Sequence, residues 1–487
     1  RARFIDVASK RADLIVSRKL FDRILSFDSN ERKQSTGALA GIVKEFETLR
    51  EFFTSSTLVI IVDLPFVFFF VYVISLIAGP LGYIPLFCVP LVVIAGLIVQ
   101  PFLARTVRAG MRSGHNKQSV LVETLNGLET VKSSGAGPLM KSRYQEALSA
   151  QSDTSGRAKG LSQFIVNFAA SVQQYAQIAI IFYGVFLIRD GEISQGALIA
   201  AVILGGRAMA PLGQLANVLS RANNALSAYR SLSKLFRDGG SYQLGKNSIS
   251  RGLLDGEIEF KDVSFQYDEL SEKVIDSMNF KIPKGQKVAI VGKMGSGKST
   301  IAKLLSHSIS PTNGSVLLDG VDIRQLDSAD LQRNVGIMPQ EPWLFSGTVR
   351  ENLQVGFTEY SDDQILSIAK IGGVDEFVSQ LPEGYDTILL EKGAGLSGGQ
   401  KQAISLSRAL LHSPGIVVLD EPTSSMDQNS EKIVVERLYE YCKEKTLVII
   451  THRNALLAIC DRIIVMENGK IISDNTPEEL GVKKLAI

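Results

Sequence analysis

The sequence predicts two joined folds, a bundle of membrane-spanning α-helices and then an α/β domain whose sheet is mainly parallel. Three observations predict this. Four long apolar stretches occupy much of the first half of the 487 residues. In the second half a glycine-rich loop directly follows a buried-strand pattern, and strands alternate with helices around it. The charge also divides: residues 1–237 carry 26 Lys+Arg against 15 Asp+Glu, and the remainder carries 26 against 35. A basic apolar half beside an acidic one indicates two environments.

The length allows about three domains and a large core. With 45% hydrophobic and 21% charged residues, the chain is too apolar to be disordered. Its net charge of +2 gives no sign of a nucleic-acid partner. Cys88, Cys442 and Cys460 lack metal-ligand spacing and read as reduced packing residues. The histidines, at 115, 307, 412 and 452, are scattered, which argues against a histidine metal site. The chain begins at Arg1 without Met or an apolar signal region, and it reads as part of a longer protein.

In chain order, residues 1–55 have apolar positions such as Leu14, Ile15, Leu20, Phe21, Ile24 and Leu25 near helical spacing. The first span, 57–77, is almost unbroken Leu, Ile, Val and Phe, interrupted by Asp63 and Pro65. At ~1.5 Å per residue it crosses the hydrocarbon core. A short turn, 78–83, leads into an uncharged second span at 84–104, giving a tight hairpin. The third span is 164–188, and the fourth, 193–220, contains Arg207. The connecting segment 105–163 holds nine Lys+Arg and four Asp+Glu, whereas the two short turns together hold one basic residue. The positive-inside rule therefore places the long segments in the cytoplasm, as helices continuing past the membrane. Asp63 and Arg207 would each cost at least ~2.5 kcal/mol facing lipid, so they are expected to face protein or water. A structural pair or a position near the interface, on one side, and a place on the translocation path, on the other, remain equally open for them.

The polar, glycine-rich stretch 238–256 reads as a linker, and 257–487 as the α/β domain. Gly292-Lys293-Met294-Gly295-Ser296-Gly297-Lys298-Ser299-Thr300 fits G-x-x-x-x-G-K-[ST] and follows the strand pattern Val288–Val291. This is the setting a phosphate-binding loop requires. Glycines let backbone N–H groups converge on phosphate oxygens, and the following helix points its positive end at them. Gly292, Gly295, Ser296, Gly297 and Thr300 are thus candidate ATP contacts. Lys298 is expected to reach the β- and γ-phosphates, and Ser299 to ligate Mg²⁺. A second strand pattern, Ile416–Leu419, ends in Asp420, a candidate Mg²⁺ ligand, and Glu421, a candidate to polarise the attacking water. His452, after the strand pattern 446–450, could contact the γ-phosphate, although a lone histidine is more often structural.

With these residues in place, the chain resembles the ABC transporter ATPases. Leu396-Ser397-Gly398-Gly399-Gln400 matches their signature, Gln340 in Met338-Pro339-Gln340 their Q-loop, and Ser424-Ser425-Met426-Asp427 their D-loop. Tyr267 matches the adenine-stacking aromatic and His452 the switch histidine. The order and spacing of these motifs over some two hundred residues carry the resemblance. It implies ATP contacts at Tyr267, Gln340, Ser397, Gly398, Gly399, Gln400 and Asp427, with Gln340 also a metal ligand. It further implies a cytoplasmic nucleotide-binding domain with a helical subdomain, and a homodimer with ATP between the loop of one chain and the signature of the other. Lys401 stands where Arg is more usual, a departure expected to leave hydrolysis intact.

The membrane half resembles the permease-ATPases of bacterial type I secretion systems, particularly exporters of large repeat-in-toxin adhesins. Arg1 to Leu14, Glu45 to Leu58, Ile61 to Phe66 and Gly206 to Pro211 carry this likeness. It implies an exporter domain of six spans, the first two upstream of Arg1, and coupling helices near Ser26–Gly37 and Asn126–Gly137. It also implies a bacterial inner-membrane location, an unfolded polypeptide cargo, a periplasmic adaptor and an outer-membrane channel. A lipid flippase or small-molecule exporter shares the whole ATPase set and is the alternative.

Overall fold

The structure, a computed structural model, describes residues 2–25, 36–54, 57–213, 215–238, 249–268, 271–356 and 360–481. These fall into two compact units on either side of residues 239–248.

The first unit is helical: α1 (Ala2–Leu25), α2 (Thr36–Thr54), α3 (Thr57–Ala78), α4 (Tyr83–Asn126), α5 (Leu128–Ser133), α6 (Gly137–Arg189), α7 (Gln195–Gly213) and α8 (Leu215–Asp238). A single 3₁₀ turn, Gly79–Gly82, joins α3 to α4, with Gly79 at φ +53°. The 44 residues of α4 and 53 of α6 run roughly 66 and 80 Å, more than twice a ~30 Å hydrocarbon core. Both helices therefore extend far beyond any membrane, as the charge pattern suggested. Phe68, Phe69, Tyr72, Phe87, Leu97 and Phe182 are exposed along α3, α4 and α6. So much exposed apolar surface suits a bilayer rather than water.

Two stretches, 65–126 and 137–189, are long and apolar enough to cross a membrane, and Gln195–Pro211 is a shorter apolar helix. Within the expected fourth span, 193–220, α7 carries the apolar part with Pro211 inside it, and α8 follows from Leu215. Arg207 is exposed on α7, and the Asp63 side chain lies outside the described residues. Most of the expected first coupling segment, Ser26–Gly37, also lies outside them. The second contains the six-residue α5. Between α2 and α4, His115 Nε2 lies 2.7 Å from the buried Glu45 carboxylate. Gly41 permits this approach, since a Cβ there would lie 2.9 Å from the imidazole.

The second unit carries β1 (Ile258–Phe265), β2 (Ile275–Ile282), β3 (Lys287–Gly292), β4 (Asn313–Leu318), β5 (Val321–Asp322), β6 (Val335–Met338), β7 (Gly347–Thr348), β8 (Ile388–Leu389), β9 (Ile416–Asp420), β10 (Thr446–Ile450), β11 (Arg462–Glu467) and β12 (Lys470–Asn475). Its main sheet has the order β12-β11-β3-β10-β9-β6, parallel except for the edge strand β12. Every residue of β9 and β10 is buried, which explains their unbroken apolar runs. An antiparallel sheet, β2-β1-β4-β5, packs beside it, and Ile258, Phe260 and Phe265 share a core with Val288 and Ile290. The helices of this unit are α9 (Lys298–Leu305), α10 (Ser328–Asn334), α11 (Val349–Leu353), α12 (Asp362–Gly372), α13 (Val374–Val378), α14 (Gly398–Leu411), α15 (Gln428–Tyr441) and α16 (Asn454–Leu457). Residues of α11 to α14 pack as a helical subdomain on the other face of the main sheet.

Beyond Asp238, which ends α8, the expected linker, 238–256, is described from residue 249 onward. Its described part docks on the α/β unit: Leu254 N–H donates to Asn334 Oδ1 at 2.8 Å, and Gly256 and Glu257 N–H donate to Asp319 Oδ1 at 3.0 and 2.8 Å. These side-chain acceptors tie this part of the backbone down.

Candidate active site at the ends of three parallel strands

β3, β10 and β9 are neighbours in register, so the loops leaving their carboxyl ends share one edge of the sheet. That edge is where open α/β sheets bind ligands. The loop after β3 turns through Gly295 (φ +80°) and Gly297 (φ +95°), and Gly297 is the N-cap of α9. A Cβ on Gly297 would lie 2.7 Å from Ile275 Cδ1, so only glycine fits this turn. Lys298 Nζ donates to the Gly292 and Lys293 carbonyls, both at 2.7 Å, and lies 3.4 Å from the buried Ser296 Oγ. The lysine thus lies across the loop.

From β9, Asp420 accepts a hydrogen bond from Ser299. Burial pushes its carboxyl above the usual range, with Ser299 and Lys298 opposing. Glu421 is held at φ +50°, a region that L-residues enter at a cost. Its N–H donates to the Ile450 carbonyl at 2.8 Å, and Oε1 lies 2.7 Å from His452 Nε2. Burial pushes the Glu421 carboxyl up as well, and His452 is the main opposing influence.

A cleft of 760 Å³ gathers Tyr267, Gly295, Gly297, Lys298, Ser299, Thr300, Gln340, Asp420, Glu421 and His452. The hydroxyl of the half-exposed Tyr267 lies 3.4 Å from Thr300 Oγ1, and its ring stands edge-on to Phe265. Gly292, at the end of β3, and the buried Ser296 support the loop without lining the cleft. A backbone rich in N–H groups, a lysine, and a Ser/Asp pair for a hard cation fit a magnesium nucleotide. A separate cavity of 930 Å³ among the helical unit's Lys44, Glu45, His115 and Gln151 holds none of the predicted site residues.

Five further predicted contacts also lie outside the cleft. Ser397 is the N-cap of α14, forming a capping box with Gln400: Gln400 N–H donates to Ser397 Oγ at 3.2 Å, and Ser397 N–H to Gln400 Oε1 at 2.8 Å. Gly398 and Gly399 pack against Ser425, where added Cβ atoms would meet it at 3.1 and 3.0 Å. Asp427 caps α15, and its bonds to Ser430 and Asn429 hold its carboxyl below the usual range.

Sequence reasoning missed Gln402, 3% exposed, and Arg453, whose Nη2 donates to the Ser424 carbonyl at 2.8 Å. Gln402 carried no distinguishing signal, since α14 also buries the polar Ser405 and Ser407. Cys442 and Cys460 are buried free thiols, the former pushed up to about 12 by burial, in keeping with packing roles.

A family model described as ABC transporter matches residues 275–424, and one described as ABC transporter transmembrane region matches residues 1–205. The alpha-hemolysin translocation ATP-binding protein of Escherichia coli O157:H7 is 32% identical over 477 residues, covering 98% of this chain and 67% of that protein. The chain belongs to the ABC transporters. The leukotoxin translocation ATP-binding protein of Mannheimia glucosida is 31% identical over 474 residues, covering 97% of this transporter chain and 67% of the relative. Among solved structures, a bacterial Atm1-family ABC exporter with ATP bound has the same fold, with TM-score 0.87 at 24% identity, over 98% of this chain and 83% of its own. This transporter is accordingly a multi-pass membrane protein whose cytoplasmic domain binds nucleotide and couples ATP hydrolysis to transport.

Proposed function

We propose that this chain is the ABC component of a type I secretion system, exporting a polypeptide across the bacterial inner membrane. The observation that carries the site's part of this reading is the division of the motifs. One chain gathers Lys298, Ser299, Asp420, Glu421 and His452 in a single cleft and leaves Ser397–Gln400 outside it. A second copy, head to tail, completes two equivalent sites. The relatives' printed names, translocation proteins for hemolysin and leukotoxin, favour a protein cargo over a lipid or small molecule.

In the proposed cycle Tyr267 stacks on the base, and the loop from Gly292 to Thr300 grips the phosphates. Lys298 leaves the Gly292 and Lys293 carbonyls for the β- and γ-phosphates. Ser299, Gln340 and Asp420 would hold magnesium, which would supply charge neutralisation when bound. Glu421 orients water toward the γ-phosphorus, the new P–O bond forms as the bond to the β–γ bridging oxygen breaks, and ADP and phosphate leave. His452 holds Glu421 and contacts the γ-phosphate. Asp427 meets the partner's site across the dimer. Tighter ATP binding to the closed dimer than to the open one drives the spans. An adaptor and an outer-membrane channel carry the cargo onward.

Lys298→Ala in the full-length gene tests the reading. One large polypeptide is expected to vanish from culture supernatants. Unchanged secreted proteins with altered lipid distribution or drug sensitivity would replace it with the flippase or small-molecule exporter.

A further inference from the structure

We infer that Gln402 is a positioning residue for hydrolysis, holding Glu421 and the loop behind it from the helix that begins with the signature. The inference rests on the reading of Glu421 as the group that orients water. Gln402 is 3% exposed, and its amide is fully engaged. Nε2 donates to Ser424 Oγ at 2.7 Å and to the Glu421 carbonyl at 3.2 Å, and Oε1 accepts the Ser425 N–H at 2.9 Å.

All three partners lie on one short segment that a helix turn earlier in the chain would not otherwise reach. Glu421 occupies left-handed backbone, so the aim of its carboxylate depends on what clamps its peptide groups. One clamp is the Glu421 N–H bond to Ile450, on the strand that leads to His452. Another is Gln402, which shares the Glu421 carbonyl with the Ser424 N–H at 3.4 Å. The same amide sets the Ser424–Ser425 backbone, against which the signature glycines Gly398 and Gly399 pack. A single side chain therefore joins the signature helix, the backbone of the hydrolytic Glu421 and the D-loop. Only a planar amide of this length offers two donations and one acceptance at these points. Glutamate keeps the acceptor and loses both donors, and alanine loses all three.

The test is steady-state ATP turnover by the full-length transporter in proteoliposomes, with Gln402→Ala and Gln402→Glu, each alone and combined with Glu421→Gln. We expect kcat to fall about tenfold or more, with KM for ATP within about twofold. With Glu421→Gln present, the Gln402 substitution should change the residual turnover less than about twofold, because no carboxylate remains to be aimed. If the alanine variant does not fold, the near-isosteric glutamate variant decides. Unchanged kcat, or equal losses in both backgrounds, would overturn the inference and leave Gln402 a packing residue. Full turnover by Glu421→Gln alone would overturn it together with the reading of Glu421, and that single variant separates the two failures.

Discussion

Asp420 and Glu421 are adjacent carboxyls at the end of a fully buried strand, and burial raises both above the ordinary carboxylate range. A raised value means that protonation sets in at higher pH than for an exposed acid. kcat/KM for ATP, which reports the free enzyme, should therefore fall as pH drops through that raised value. The stability sign is the reverse of a salt-bridged acid. The charged carboxyls subtract stability above their unfolded pKa, and the penalty is relieved as pH falls. Glu421→Gln removes one such charge. It should lower turnover about 10²-fold or more, while the domain melts no lower than wild type near neutral pH. Calorimetry beside a phosphate-release assay checks both, and a clear drop in melting temperature would mean that the His452 contact outweighs the burial cost.

At the scale of elements, close packing decides what the motifs tolerate. A Cβ on Gly336, in β6, would collide with the Ala409 carbonyl of α14, which is backbone and cannot swing aside. Gly336→Ala is expected to cost about 1–3 kcal/mol by overpacking, read as a lower denaturation midpoint. Ser397→Ala removes only the capping box and should cost about 1 kcal/mol. If its turnover loss greatly exceeds that of a comparably destabilising substitution elsewhere, Ser397 also contacts nucleotide. In the membrane unit the equivalent device is Gly41, which admits His115 to Glu45.

The whole molecule has one copy of each motif, and the signature stands outside the cleft of its own chain. Two variants, Lys298→Ala and Gly398→Asp, should each be inactive as a homodimer. Co-expressed, they should regain part of the wild-type ATPase, because a mixed dimer has one site with neither substitution. Turnover measured on tag-selected mixed dimers decides this, and none at all would argue against head-to-tail sites.

Period and spacing made much of this legible before any fold was known. Unbroken apolar runs announced α3, α4 and α6, because a helix in lipid must be apolar along its length. The glycine loop after Val288–Val291 and the acids after Ile416–Leu419 announced the site, because strand ends and glycine turns are local properties. Two things were settled only by tertiary structure. Asn334 and Asp319 turned the end of a polar linker into docked chain. Gln402, an ordinary polar letter in a helix, found three partners on a segment 19 to 23 residues away. A sequence states which groups are present and how they repeat. Which distant groups meet depends on packing in three dimensions, and no local pattern encodes that.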